Sequence, residues 1–438
     1  MSDTAQEKDR RAPGPDKTRQ VNDVEYVRRE EALAMLGVKK ESLYTYVSRG
    51  LIKTLPEPGR KTSLYRKADL EKLRTRSSAK KASKPVAHVL RYGEPIIQSW
   101  ICDIGADGPR YRGHPALDLA REGRSFEYTA DLIWNGMPPP RDKPWPPSRH
   151  DGLRDFCDGL VADSGGSAVM RSPIRLLSSI GMRFSALEEQ GAGSPYNDMH
   201  VTGIRLLSAF AGVSGYFGPR PQYRTARANE FIAHRVTSGF GLGSRPDADA
   251  IAGLIAAALV LSVDHELSAP TFCARISAST GVDAYACVAA ALMAQAGPMQ
   301  AGGMMDVEDF LQEQLQAPPS AMPMAADAPC FGHPLYDKDP RAELLLRLVG
   351  ELPGSCATAA RLFAFIEQYH RASGKFPNLF AALTVLTMVL GLPKGTAIYL
   401  HTLGRTAGWL AHIAEQRLSG GMLRPRARYM GTSPDRFL

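Results

Sequence analysis

The feature that most limits the fold of this chain is the repeating pattern of its long C-terminal part. From about residue 116 onwards, Ala- and Leu-rich segments alternate with short Gly and Pro breaks, and no strong period-two alternation is present. Half-buried strands show that alternation, whereas amphipathic helices show a period near 3.6. The richest apolar run, residues 251–263, is shorter than the roughly 18 residues of a membrane-spanning helix and is typical of a buried helix. The pattern predicts a mainly α-helical body and no membrane segment.

A short β element precedes this helical region. Residues 100–104 read as a strand, a Gly-containing turn follows, and residues 110–115 complete a hairpin. Helices are predicted at residues 116–120 and 126–134, and Gly136, Met137 and Pro138 mark the end of the second. The chain of 438 residues is long enough for two or three domains with a large core.

Charge is unevenly distributed along the chain. Residues 1–92 contain 22 Lys and Arg against 12 Asp and Glu, a net charge of +10, whereas the remainder contains 31 against 33. A concentration of basic residues in one segment is typical of a module that binds a polyanion. The sequence therefore predicts a separate basic module attached to a nearly neutral body.

The basic segment has a regular pattern of its own. Residues 29–36 and 41–49 read as two short helices, each followed by a glycine and separated from one another by a short turn. Two short strands, residues 51–54 and 63–66, flank a turn rich in Pro, Gly and basic residues, and residues 68–74 read as a third helix. This succession resembles the winged helix-turn-helix of the MerR/excisionase group.

The resemblance implies a DNA-binding module over residues 23–76, whose second helix enters the major groove. The wing would then contact the phosphate backbone, and binding would weaken steeply with salt. The alternatives are a small helical domain with a solvated basic face and a protein-docking unit. The implied DNA-contacting residues are Tyr44, Thr45, Ser48 and Arg49 of the second helix and Arg60, Lys61 and Arg66 of the wing.

The segments that flank this module have no periodic pattern. Residues 1–22 mix charged residues with Pro and Gly and predict a disordered tail, and residues 77–92 predict a Ser-, Lys- and Ala-rich linker. The six cysteines are scattered without a C-x-x-C pair, and the N-terminus lacks a secretory signal pattern. We therefore expect reduced thiols, no metal site and a cytoplasmic location.

A thirteen-residue stretch in the body, CFGHPLYDKDPRA at residues 330–342, contains a histidine after a Gly turn and an arginine eight residues later. Such a segment can direct one imidazole and one guanidinium at the same anion. Together with the other strings, it resembles the citrate synthase family over about residues 93–438. Those strings are VDHEL at 263–267, APTFCAR at 269–275, GPMQAGG at 297–303, GRTAGWLAH at 404–412 and LRPRARYMG at 423–431.

The resemblance implies a mainly α, two-domain body and a homodimer. Residues 93–270 and 378–438 would form the large domain, and residues 271–377 the small one. Three guanidinium groups and two imidazoles in one cavity repel one another without an acidic partner, so they predict a di- or tricarboxylate ligand. The residues implied to hold oxaloacetate are His265, His333, Arg341, Arg405 and, across the dimer interface, Arg424.

The resemblance also identifies three catalytic positions, of which His333 is retained and two are substituted. The family uses an Asp to remove a proton from the acetyl-CoA methyl and a His to donate to the thioester carbonyl; these positions carry Phe380 and Gln300. Neither side chain can donate or accept a proton at neutral pH, and general acid–base groups each contribute roughly 10²- to 10⁴-fold. The acidic residues that follow in sequence, Asp306, Glu308 and Asp309, are predicted to be exposed on the next helix.

Coenzyme A is implied as a thioester substrate or ligand and not as a permanently bound cofactor. In the family, backbone groups of the loop before the second histidine hold the adenine. That loop corresponds to Pro329, Cys330, Phe331 and Gly332. An ordinary interdomain loop is the alternative interpretation of these four residues.

Three functions remain open at this point. The first is a citrate or alkylcitrate synthase that condenses an acyl-CoA with oxaloacetate. The second is a DNA-binding protein that senses a di- or tricarboxylate and has weak or no synthase activity. The third is a non-catalytic subunit that pairs with an active paralogue. The complete set of anion-binding residues, the two substitutions and the basic module together favour the second, for which a symmetric dimer is suitable.

Overall fold

The chain forms two compact units, Met1–Ile97 and Gln98–Leu438. The structure is a computed structural model, and it describes thirteen segments of the sequence. These are residues 18–21, 24–36, 40, 43–44, 47, 52–56, 62–70, 97–148, 150–163, 173–190, 199–316, 328–352 and 357–424.

The described part of the first unit contains a four-stranded antiparallel sheet. Its strands are β1 (Thr18–Val21), β2 (Val24–Val27), β3 (Thr54–Pro56) and β4 (Ser63–Arg66), in the order β1-β2-β4-β3. A small apolar core lies against this sheet and includes Val27, Leu36 and Tyr65, each less than a tenth exposed. A helix, α1 (Arg29–Leu36), follows β2 in the chain.

Several predictions for this unit can be compared with the structure. The helix at residues 29–36 is confirmed by α1, and the strand at residues 63–66 is confirmed by β4. The strand predicted at residues 51–54 is displaced along the chain: β3 begins at Thr54, and its Leu55 lies opposite Leu64. The prediction of a disordered tail is wrong for residues 18–21, because β1 pairs with β2. The backbone hydrogen bonds of that pairing offset the ordering of a polar segment, which composition alone does not reveal.

Only two of the residues implied to contact DNA lie in the described part of the chain. Tyr44 is 46% exposed, and Arg66 is the last residue of β4, opposite Tyr26. The predicted linker, residues 77–92, lies outside the described residues. So do five of the residues implied to contact DNA: Thr45, Ser48, Arg49, Arg60 and Lys61.

The second unit begins with a three-stranded antiparallel sheet, which confirms the predicted hairpin. Its strands are β5 (Cys102–Gly105), β6 (Gly108–Tyr111) and β7 (His114–Pro115), in the order β5-β6-β7. The buried hydroxyl of Tyr111 donates a hydrogen bond to the carbonyl of Val260 at 3.0 Å. This bond ties the sheet to the helical part of the unit.

Helices make up most of the remaining described residues, which confirms the prediction of a mainly α body. None of the described helices is long and apolar enough to cross a membrane. The helices are α2 (Ala116–Arg121), α3 (Phe126–Asn135), α4 (Leu153–Asp163), α5 (Pro173–Gln190), α6 (Met199–Gly212), α7 (Ile232–Gly239), α8 (Ala248–Ser262), α9 (Ala269–Ser279), α10 (Ala284–Gln295), α11 (Gly303–Gln316), α12 (Pro340–Gly350), α13 (Ala357–Ser373), α14 (Leu379–Val389) and α15 (Thr396–Ser419).

The last of these helices, α15, lies in the centre of the unit and is buried over most of its length. Two glycines allow α8 to approach it closely. A Cβ atom at Gly404 would lie 2.7 Å from the carbonyl oxygen of Leu259, and one at Gly408 would overlap the carbonyl of Val263. Only a residue without a side chain fits such a contact. The approach brings the residues that follow α8 against the middle of α15.

Candidate active site

Arg341 is held by an acidic residue two positions before it. Asp339 caps α12, where its Oδ1 accepts from the Arg341 backbone amide at 3.1 Å. The same carboxylate accepts from Arg341 Nε at 3.0 Å and Nη2 at 2.9 Å, and from the Leu379 amide at 3.0 Å. Burial by itself would raise the pKa of Asp339, but the charge and hydrogen bonds of Arg341 outweigh burial and hold that pKa below its usual value.

His333 lies in the loop before α12. The backbone amide of Leu335 lies 3.1 Å from its Nδ1, and Nη2 of Arg341 lies 3.4 Å from its Nε2. Both neighbours are donors, and a neutral imidazole has one acceptor nitrogen, so the ring accepts from only one of them. Burial, and then the positive charge of Arg341, lower the pKa of His333 to about 4. The imidazole is therefore neutral at neutral pH.

His265 comes from a different part of the chain, immediately after α8. Its ring centroid lies 5.3 Å from that of His333 and 5.8 Å from that of Tyr336. The next residue, Glu266, has a φ of 60°, a left-handed conformation that turns the chain sharply at this point. Burial, followed by the charges of Arg341 and Arg405, holds the pKa of His265 well below its usual value. Its Nε2 is buried and has no hydrogen-bond partner among the described residues.

Arg405 projects from the buried middle of α15 and is only 6% exposed. Its Nη1 lies 3.7 Å from Asp264 Oδ1, too far for a hydrogen bond, and both atoms are buried without a hydrogen-bond partner among the described residues. Burial lowers the pKa of Arg405 more than the Asp264 carboxylate raises it. A buried guanidinium nitrogen without an acceptor costs about 1–3 kcal/mol or more, so this atom is a free donor for a ligand.

Asp264 is itself supported by a histidine that sequence reasoning did not single out. His412 Nε2 lies 3.3 Å from Asp264 Oδ2, and Arg275 Nη1 lies 3.1 Å from His412 Nδ1. A guanidinium can only donate, so the neutral ring accepts at Nδ1 and donates from Nε2 to Asp264. Asp264, His412 and Arg275 all lie within the motif strings, but only the structure shows that hydrogen bonds connect them.

We refer to His265, His333, Arg341 and Arg405 as the basic cluster. Sequence reasoning grouped these four residues, and the structure places them within range of one another's charges. It also shows that Asp339 is an acidic partner of Arg341. The sequence argument for an anionic ligand assumed that the cationic groups have no such partner. The fifth residue, Arg424, is exposed near the end of the described chain, where the neighbouring Leu423 amide donates to Ser279.

The two substituted positions have different surroundings. Phe380 is the second residue of α14, and its ring lies edge-on to that of His401 with a centroid distance of 4.7 Å. Gln300 lies half-buried in a π-helical turn, Pro298–Gly302. Among the residues that the structure describes, no hydrogen bond links the Gln300 side chain to the basic cluster.

One acidic residue near Gln300 was predicted wrongly. Glu308, expected to be exposed, is only 8% exposed, and its Oε2 accepts from the Gly395 amide at 3.1 Å. Burial raises the pKa of Glu308. Gly395 precedes α15, so this carboxylate satisfies a backbone donor at a helix start, which the helical pattern of α11 could not show.

The loop implied to hold coenzyme A uses much of its backbone for internal contacts. The Gly332 amide donates to the Phe376 carbonyl at 2.7 Å, and the Asn378 amide donates to the Cys330 carbonyl at 3.0 Å. Phe331 is buried against Tyr369, with a ring distance of 4.7 Å. These bonds join the loop to the start of α14, and Pro329 has no amide proton to donate.

A family model described as citrate synthase, C-terminal domain, matches residues 92–426, which is most of the chain. The chain belongs to the citrate synthase family. A citrate synthase of Haloferax volcanii is 27% identical over 369 residues, which cover 77% of this chain and 94% of that protein. A citrate synthase of Synechocystis sp. is 32% identical over 366 residues, which cover 77% and 89%. A 2-methylcitrate synthase of Shewanella oneidensis is 24% identical over 390 residues, which cover 76% and 92%.

Solved structures show the citrate synthase fold for the same part of the chain. The ternary complex of carboxymethyl coenzyme A and oxaloacetate with citrate synthase from Thermoplasma acidophilum aligns with a TM-score of 0.61 at 19% identity, covering 78% of this chain and 95% of that one. Citrate synthase from Pyrobaculum aerophilum has a TM-score of 0.61 at 22% identity, covering 87% and 95%. The basic N-terminal segment precedes the region that the citrate synthase family model matches.

Proposed function

We propose that this citrate synthase family protein binds a small di- or tricarboxylate, such as oxaloacetate or citrate, in the basic cluster. The observation that carries the proposal is Arg405 Nη1, a buried cationic donor without a hydrogen-bond partner among the described residues. The unpartnered Nε2 of His265 adds a second polar atom in the same cluster. A carboxylate oxygen satisfies a guanidinium donor with a short, charge-assisted hydrogen bond.

The charges of the site cancel in sum, so an anionic ligand is favoured at Arg405, whose Nη1 has no hydrogen-bond partner among the described residues, and not by the overall charge. Arg341 and Arg405 contribute two positive charges, and Asp339 and Asp264 contribute two negative charges, whereas the histidines are neutral at neutral pH. The negative charge of Asp339 is already shared among four hydrogen bonds. Nη1 of Arg405 has no such hydrogen bond among the described residues, because its distance of 3.7 Å from Asp264 allows an ion pair but not a hydrogen bond.

Calorimetric titration of the full chain with oxaloacetate and with citrate tests this proposal. We expect binding by the wild type and a loss of about 10- to 100-fold for Arg405→Met, which keeps much of the side-chain volume but removes the charged donor. The control is Arg121→Met, because Arg121 is exposed and pairs with Asp118 on the surface of α2. Absence of heat with the wild type, or equal affinity for Arg405→Met, would contradict carboxylate binding at this site.

We further propose that synthase turnover is weak or absent. Gln300 and Phe380 replace the proton-transferring residues of the family, and loss of two such groups lowers the rate by about 10⁴-fold or more if they act independently. Release of thiol from acetyl-CoA in the presence of oxaloacetate measures this turnover. We expect little release by the wild type and more by Gln300→His, Phe380→Asp; wild-type turnover at an ordinary enzyme rate of about 1–10³ per second would contradict the proposal.

An active citrate or alkylcitrate synthase is the second candidate function. It is favoured by the relatives, which are named citrate synthase and 2-methylcitrate synthase. The same thiol-release assay, with acetyl-CoA and with propionyl-CoA, distinguishes an active synthase from a carboxylate-binding protein that has little or no turnover. Turnover by the wild type that is lost in Arg405→Met would support it.

We also propose that the N-terminal unit binds DNA and that the body is a dimer. The net charge of +10 over residues 1–92 and the exposed Tyr44 ring support the first point. Retardation of DNA fragments by the full chain should weaken with added salt and with Arg66→Ala.

For the dimer, sedimentation should give twice the mass of one chain, and Arg424→Ala should weaken oxaloacetate binding without changing that mass.

A further inference from the structure

His401 is a buried histidine beside the basic cluster to which no role has been assigned above. It lies on α15, four residues before Arg405 and thus on the same side of the helix, and it is 5% exposed. Its Nε2 is buried and has no hydrogen-bond partner among the described residues. A buried polar atom without a partner is uncommon in folded proteins and requires an explanation.

A neighbouring threonine determines the orientation of the amide group that contacts His401. The Thr402 hydroxyl donates to the Ile398 carbonyl at 2.7 Å, one turn earlier in α15. The hydroxyl has a single proton, so its oxygen can only accept from the Gln295 amide group, 2.7 Å away. The atom of Gln295 that faces Thr402 must therefore be the amide nitrogen and not the amide oxygen.

The orientation of Gln295 in turn determines which nitrogen of His401 carries the proton. The same Gln295 Nε2 lies 3.3 Å from His401 Nδ1 and has a second proton to donate. His401 Nδ1 is therefore an acceptor, and in the neutral ring the proton lies on Nε2. The unpartnered atom is thus a hydrogen-bond donor that lacks an acceptor.

The surroundings of His401 keep its ring uncharged. Burial, and then the charges of Arg405 on the same helix and of Arg341 on α12, hold its pKa well below the usual value. The Phe380 ring, edge-on at 4.7 Å, covers one side of the imidazole with apolar surface. A neutral donor in such a dry environment interacts more strongly with a ligand oxygen than the same group does in water.

We propose that His401 is a further ligand-binding residue of the site, whose Nε2–H donates to an oxygen of the bound di- or tricarboxylate. The proposal rests on the carboxylate binding proposed above. Nε2 of His401 and Nη1 of Arg405 would both contact the ligand, from one side of α15. Phe380 then has a role in this chain: it packs against the imidazole and helps to hold its plane.

The first experiment compares the affinities of full-length variants for oxaloacetate and citrate by calorimetry. We expect His401→Phe, which keeps a planar ring but has no donor, to lose about 10-fold in affinity. His401→Gln, which retains an amide donor, should recover part of that loss. The control is His234→Phe, because His234 lies on α7, where its side chain is about half-exposed beside Asp249.

The second experiment observes the ring directly, so it does not depend on whether a variant folds. In wild-type protein labelled with ¹⁵N at its ten histidines, nitrogen NMR shifts distinguish a protonated Nε2 from a protonated Nδ1. The His401 signals are those absent from the His401→Phe spectrum or, if that variant does not fold, from the His401→Gln spectrum. We expect an Nε2–H tautomer at neutral pH and a change in the Nε2 shift when citrate is added.

The outcomes separate this inference from the proposed function. If the wild type binds and His401→Phe binds equally tightly, His401 is not a ligand-binding residue, although carboxylate binding stands. A protonated Nδ1 overturns the hydrogen-bond assignment. If the wild type binds neither carboxylate, both the proposed function and this role of His401 fail.

Discussion

The carboxylate of Asp339 accepts hydrogen bonds from Nε and Nη2 of Arg341 at 3.0 and 2.9 Å, with both side chains almost completely buried. The same carboxylate accepts from the Leu379 amide at the start of α14. One acidic group thus orients a cation of the site and joins the start of α12 to the start of α14.

Asp339→Asn should destabilise the protein by about 3–5 kcal/mol, because it leaves the Arg341 charge buried without its counter-ion. Denaturant unfolding followed by circular dichroism measures the change. The matched control is Asp107→Asn, which alters the exposed pair with Arg110 and should leave stability nearly unchanged, because solvent screens that pair. Equal effects of the two substitutions would show that the buried pair has no special contribution.

The close contact between α8 and α15 leads to a second prediction. Gly408→Ala places a Cβ atom against the Val263 carbonyl and 2.7 Å from Asp264 Oδ1, so the helices must separate at the site. We expect a loss of about 1–3 kcal/mol in stability and weaker oxaloacetate binding, since Asp264 faces Arg405 across this contact.

The control for that substitution is Gly253→Ala on α8, where a Cβ atom would meet no other atom within 4 Å. Because alanine favours a helix over glycine, this variant should be more stable by about 0.5–1 kcal/mol. Thermal unfolding and calorimetry on both variants give the comparison. If Gly408→Ala were as stable as Gly253→Ala, the helices would not be in close contact there.

Glu127 gives a prediction about the pH dependence of stability. Its Oε1 accepts from the Ile232 amide at 2.6 Å, its Oε2 is buried without a partner among the described residues, and burial raises its pKa to about 8 from 4.5. Between these two values the unfolded chain has released the proton and the folded chain still holds it. The free energy of unfolding should therefore fall as pH rises through this window, by about 1.4 kcal/mol per pH unit.

Glu127→Gln should remove this component, because glutamine does not titrate. Urea unfolding of both proteins at about pH 5, 6, 7 and 8 tests the prediction through the difference between their slopes. We expect the variant to gain stability relative to the wild type as pH rises. Parallel curves would mean that Glu127 is ionised in the folded protein.

Carboxylate binding should also depend on pH. His333 has a pKa of about 4 and lies beside Arg341, Asp339 and Tyr336. A bound carboxylate favours the imidazolium, so the pKa of His333 is higher in the complex than in the empty site. The complex therefore takes up protons between its own His333 pKa and about 4, the pKa in the empty site, and affinity for oxaloacetate should rise as pH falls through this window. Calorimetry in buffers with different ionisation enthalpies measures proton uptake; release of protons would contradict the prediction.

Local features of the sequence predicted much of the fold. Periodicity and Gly or Pro breaks predicted the helical body, and the short hairpin before α2 was predicted from its turn residues. These signals depend on a few neighbouring residues, so the elements that they predict form in the folded protein whenever tertiary packing does not oppose them. The motif strings likewise singled out His265, His333, Arg341 and Arg405, because the residue type and spacing within each string are visible in one dimension.

The amino-acid sequence alone thus determined the class of fold, the family resemblance and the residues of the basic cluster. Only the tertiary structure decided how their charges are used: Asp339 neutralises Arg341, whereas Arg405 and His401 keep unpartnered nitrogens. It also decided that Glu308 is buried. The physical reason is that burial and hydrogen-bond partnership depend on atoms brought together from distant parts of the chain, as in the contact between His401 and Gln295, 106 residues apart. No local pattern encodes such a contact.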